Sequence, residues 1–155
     1  MKIRLTSYEM MVAAEVGKMR TVSSMKANHP NRHGMPGRDW DTDIEGAAGE
    51  MVVAKAFNLY WDCSVNTFKN PDLPNRIQVR TTHQQSLIVR SDDADGDRFV
   101  MVQGRSPEFR VAGWLSGVEA KRDCWRRAPN GRPAAWFVPA DALHPPETLM
   151  RSIAP

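Results

Sequence analysis

Apolar residues recur at helical spacing near the start of the chain: Tyr8, Met11, Val12, Val16, Met19 and Val22 form one stripe, interrupted by Glu15. Thr6-Ser7-Tyr8-Glu9 precedes it as a capping box, in which the Thr6 hydroxyl takes an orphan backbone N–H and Glu9 reaches back. This predicts a helix through roughly Lys26, with its methionines as core filler. Periodicity then stops. Asn28 to Trp40 contains Pro30, Gly34, Pro36 and Gly37 and reads as a loop, 28–41, able to cover a groove. His29 and His33 are four apart, but the proline and glycine beside them oppose the helix that would aim both at one metal ion.

Thr42-Asp43-Ile44-Glu45 reads as a second capping box, opening a helix to about Asn58. Gly46, Ala47, Ala48, Gly49 and Ala54 are small, so this helix is expected to be packed closely by its neighbours. Val53, Ala54 and Phe57 lie on the side of Glu50, which turns that carboxylate toward packed protein. There it needs a compensating metal, cation or set of donors.

Beyond this helix the period falls to two. Trp61 to Phe68 reads as a strand that enters a Pro71-Asp72 turn. In the next strand Ile77, Val79 and Thr81 alternate with Gln78, Arg80 and Thr82, so the two sets face opposite ways. His83 to Ser86 reads as a hairpin connection to Leu87–Arg90, and Ser91 to Asp97 as an acidic hairpin turn. Its glycine is misplaced for a calcium loop and no glutamate closes it. Strands Arg98–Gln103 and Phe109–Leu115 follow, joined by a turn from Gly104 to Pro107. A short helix from Gly117 to Trp125, a short strand from Ala135 to Val138 and an irregular tail, 139–155, complete the chain. The pattern predicts a single α/β domain over 1–155, with a mixed central sheet of about five strands flanked by helices.

Composition changes this picture little. The 155 residues carry a net charge of +3, which is compatible with a nucleic-acid partner without demanding one. Cys63 and Cys124 form no metal-binding or disulfide pattern and read as reduced thiols. With no signal peptide and no apolar run long enough for a membrane, the expected location is cytoplasmic.

The order is thus a helix with an inward glutamate, an aspartate at a turn, and a strand carrying Gln-x-Arg. It resembles the PD-(D/E)XK nuclease superfamily, the restriction-endonuclease-like fold, through Glu50, Pro71-Asp72, Gln78 and Arg80. The Asp43–Glu50 block, Gln78–Thr82 and Gly113-Trp114-Leu115 are also similar to small phage proteins of that kind. The resemblance runs from about Trp40 to Leu115 and implies a metal-dependent DNA endo- or exonuclease. In it Asp72, Glu50, the Gln78 amide oxygen and the Val79 carbonyl would hold Mg2+ or Mn2+, with Arg80 against the scissile phosphate. Arg20, Arg32, Arg38, Arg76 and Thr82 would contact the nucleic acid, and Trp40, Trp114, Trp125 and Trp136 would be available for stacking.

Two positions depart from the family pattern. Gln78 removes a negative charge from the site, and Arg80, where the family has lysine, stays charged and cannot move a proton. Three readings therefore stand side by side. One is a nuclease; another is an inactive nuclease-fold protein that binds nucleic acid or a host protein; the third is a structural ion-pair network.

Overall fold

The structure, a computed structural model, describes residues 1–27, 40–65 and 70–153. The expected loop, with His29, His33, Arg32 and Arg38, lies outside the described residues except for Trp40 and Asp41. A short strand, β1 (Lys2–Arg4), leads into α1 (Ser7–Lys26). Its capping box forms as expected: Thr6 Oγ1 accepts from the Glu9 N–H at 3.3 Å, and the Thr6 N–H donates to Glu9 Oε2 at 2.6 Å.

The buried face of α1 is not the predicted stripe. Ala13, Val16, Gly17 and Thr21 point inward, whereas Tyr8, Met11, Val12, Met19 and Val22 are exposed. The reason is the close approach of α2 (Trp40–Phe57), since a Cβ added at Gly17 would lie 2.5 Å from Ile44 Cα. Small side chains let two backbones meet, and a methionine face would hold them apart. The second capping box is also corrected. α2 begins at Trp40, which places Thr42 inside the helix, and Glu45 Oε2 instead accepts from the Ser106 N–H at 3.2 Å.

Residues 61–64 form no strand, contrary to expectation, and 66–69 lie outside the described residues. The chain then runs β2 (Ile77–Thr82), β3 (Ser86–Arg90), β4 (Arg98–Arg105), β5 (Glu108–Ser116), α3 (Gly117–Ala120), β6 (Arg126–Arg127) and β7 (Ala135–Pro139). One sheet has the order β1-β5-β4-β2, with β2 parallel to β4 and the other pairs antiparallel. The second sheet, β3-β7-β6, is antiparallel throughout. The fold is therefore α/β with a mixed sheet, but that sheet has four strands, and helices cover one of its faces while the second sheet covers the other.

Burial on both faces of β4 explains the arrangement. Val100 and Val102 pack with Val52 and Val53 of α2, while Phe99 and Met101 meet Leu87, Val89 and Val138 of the second sheet. This overturns the predicted hairpin between 77–82 and 87–90. Leu87 and Val89 cover Phe99 and Met101 only if β3 leaves the first sheet, pairs with β7 and lets the chain return as β4 beside β2. The Ser91–Asp97 segment accordingly bridges two sheets and is not a hairpin turn.

The expected β4–β5 hairpin does form. The tail is a series of 3-10 turns anchored by the fully buried Leu149 and by Arg98, which donates to the Ser152 carbonyl at 2.7 Å. Among the described residues no helix is long and apolar enough to cross a membrane.

Candidate functional site around Glu50 and Asp72

Glu50 is only 5% exposed, as the small residues around it predict. Its partner comes from the facing helix: Arg20 Nη1 and Nη2 donate to Glu50 Oε1 and Oε2 at 2.6 and 2.7 Å, a two-pronged pair. Trp61 Nε1 adds a third donor at 2.9 Å. Arg20 also donates through Nε and Nη2 to the Ser64 carbonyl at 3.0 and 2.9 Å. Burial disfavours the Arg20 cation, but the hydrogen bonds and charge of Glu50 outweigh it and raise its pKa.

Asp72 reaches the same region from the turn before β2. Asn75 and Arg76 both take positive φ, 63° and 59°, and reverse the chain tightly. Leu73 then donates its N–H to the Ile77 carbonyl at 3.1 Å, and Asp72 Oδ2 accepts from the Val79 N–H at 2.7 Å. Burial, and then the Glu50 charge, push the Asp72 pKa up to about 6, against the Val79 N–H and the Arg80 and Arg20 cations. Asp72 also lines a cleft of about 350 Å³ with Tyr60, Asp62, Asn75 and Arg76.

A carboxylate raised in the folded state keeps its proton after the unfolded chain has lost it, so this group makes stability fall as pH rises from about 4 to about 6, then level off. Urea unfolding midpoints are expected to show that descent in the wild type and its loss in Asp72→Asn. Equal slopes for the two proteins over this interval would refute the raised titration of Asp72.

The other half of the constellation faces away. Thr81 Oγ1 meets Gly49 of α2, so Ile77, Val79 and Thr81 form the helix side of β2, and Gln78 and Arg80 project toward the second sheet. Gln78 Nε2 donates to Asp97 Oδ2 at 3.1 Å. Arg80 Nη2 donates to Asp93 Oδ1 at 2.8 Å, and its guanidinium lies 5.3 Å from the Phe99 ring. Asp72 stands at the margin of the strand, close enough to feel both Glu50 and Arg80.

A hard divalent ion needs oxygens with free lone pairs converging on one point. Both Glu50 oxygens are held by Arg20, and the Gln78 amide is turned to Asp97. Among the described residues no three His, Cys, Asp or Glu side chains group to hold a metal ion. In this arrangement the residues do not fit Mg2+ or Mn2+.

The described arginines that were expected on nucleic acid are engaged in ion pairs. Arg20 is bound to Glu50, Arg76 pairs with Asp97 at 2.9 Å, and Arg32 and Arg38 lie outside the described residues. Thr82 Oγ1 accepts from the Gln84 N–H at 3.0 Å. The partners Asp93 and Asp97 were hidden in a segment that reads as an acidic turn, and Arg20 in a helix read from its other face.

A different set of arginines is exposed within one stretch of the chain. Arg122, Arg126, Arg127 and Arg132 are exposed around β6, with Trp125 and Phe137 half-buried among them. The Arg122 guanidinium sits 5.2 Å from the Trp125 ring, and Arg127, Ala128, Pro129 and Phe137 line an open cleft of about 430 Å³. Asp123 is the only acidic residue between Lys121 and Pro139. No family model matches the chain, and no curated protein or solved structure matches it significantly.

Proposed function

We propose that this protein binds nucleic acid along the β6–β7 surface, on a nuclease-like scaffold whose acidic constellation serves as an ion-pair network and does not cut. The observation that carries the reading is the run of exposed arginines, Arg122, Arg126, Arg127 and Arg132, with Arg122 against the Trp125 ring and Arg127 sharing a cleft with Phe137. Arginines neutralise successive phosphates and release their counterions, while aromatic faces receive bases without regard to sequence. The engagement of Glu50 by Arg20 supports the non-hydrolytic half of the proposal, because both oxygens of that carboxylate are already taken. Hydrolysis is the second reading, favoured by the closeness of Asp72 to the Glu50 charge.

Fluorescence anisotropy with labelled single-stranded and duplex DNA tests the binding. Arg126→Glu/Arg127→Glu is expected to weaken it by roughly tenfold or more and to flatten its salt dependence by about 0.7–0.9 for each phosphate that is no longer neutralised. Unchanged affinity and salt slope would count against this surface. A nicking assay with magnesium or manganese separates the two readings. Cleavage by the wild type that disappears in Asp72→Ala would restore the hydrolytic one.

A further inference from the structure

We infer that a second copy of this chain docks on the exposed face of α1, antiparallel to the first. Tyr8, Met11, Val12, Met19 and Val22 are 80%, 63%, 44%, 56% and 39% exposed, and helical spacing gathers all five on one side of the helix. The opposite side is already used against α2, where Gly17 touches the backbone of Ile44. Helix α1 thus has two packing faces, and among the described residues only one is filled. Five large apolar side chains on one side of a 20-residue helix, roughly 30 Å in length, form two apolar ends, Tyr8 with Met11 and Val12, and Met19 with Val22, about a charged middle.

Charge selects the occupant. The middle of the patch carries one acid and one base, Glu15 and Lys18, which pair with each other within the chain. A two-fold contact must be complementary to itself, each residue meeting its counterpart's partner. An antiparallel second α1 meets that condition when Glu15 lies beside Lys18 of the second copy and Lys18 beside its Glu15. The same register sets Met11 against Val22 at both ends and Tyr8 against Met25. A balanced Glu–Lys pair fits this occupant better than an anionic membrane, which would select a basic face. The inference is independent of the nucleic-acid reading.

Sedimentation equilibrium of the full chain tests it. The wild type is expected to be dimeric at about tens of micromolar, with a thermal midpoint that rises with protein concentration, and Met11→Glu/Met19→Glu monomeric with an unchanged far-UV circular dichroism spectrum, since both side chains are exposed. Glu15→Lys is expected to weaken the dimer by roughly tenfold through like charges, and Glu15→Lys/Lys18→Glu to restore it. A wild-type monomer, a dimer indifferent to the methionine substitutions, or a charge swap that fails to restore association would each overturn the inference. Flotation of the wild type, but not of the methionine variant, with anionic phospholipid vesicles would overturn it in favour of a lipid surface.

Discussion

Glu50→Ala is expected to lower the unfolding free energy by about 3–5 kcal/mol, the cost of breaking a buried ion pair from one side. The substitution removes the group that accepts both prongs of Arg20 and the Trp61 N–H. The guanidinium, with its side chain only 18% exposed, keeps the Ser64 carbonyl but loses the carboxylate that offset its desolvation. Arg20→Met/Glu50→Leu is expected to recover most of the loss, because apolar side chains of similar volume carry no charge to desolvate. Urea titrations of the three proteins, with their slopes compared, measure both effects. The outcome that would sink the ion-pair account is Glu50→Ala with wild-type stability, and paired with abolished cleavage it would point back to a metal ligand.

Gly17→Ala and Gly46→Ala are expected to act in opposite directions, although both place a better helix former inside a helix. At Gly17 the new Cβ would stand 2.5 Å from Ile44 Cα and 2.6 Å from its nitrogen, and backbone atoms cannot turn aside as a side chain can. The helices must separate, which costs about 1–3 kcal/mol for an overpacked contact and outweighs a propensity gain of about 1 kcal/mol. At Gly46 a Cβ would meet nothing within 4 Å, so only the propensity gain of roughly 0.5–1 kcal/mol remains. Thermal melts give both signs directly. Stabilisation by Gly17→Ala would mean that the α1–α2 contact is looser than described.

The same glycine shows where sequence reading of α1 went astray. The helix and its capping box are local features, and Thr6 with Glu9 announced them correctly. Which face turns inward is not local. Periodicity marks the Tyr8–Val22 stripe, and burial of the smaller Ala13, Val16, Gly17 and Thr21 instead follows from how closely α2 approaches. The burial of Glu50 was legible because small residues surround it in its own helix. Its partner was not, since Arg20 stands 30 positions away on a helix read from the wrong side. Strand alternation likewise revealed β2, β3, β4 and β5 as segments, and the hairpin of β4 with β5, but not the pairing of β2 with β4 or of β3 with β7. Leu87 and Val89 look the same whether β3 lies beside β2 or faces Phe99 and Met101 across the core. Gln78 and Arg80 were read with Asp72 because they are near it in sequence, and alternation along β2 sends their side chains the other way.

Asp72 has a further consequence for how the protein keeps to itself. Among the described residues the order β1-β5-β4-β2 leaves β2 as an outer strand, and such a strand displays backbone donors and acceptors that any extended chain could match. Here the first two such positions are taken, because the Ile77 carbonyl is held by the Leu73 N–H and the Val79 N–H by Asp72. A foreign strand pairing at this end of the margin would have to displace the Asp72 carboxylate and the Leu73 N–H. The turn that carries the acid therefore leaves two fewer backbone groups open to templated pairing at this end of β2.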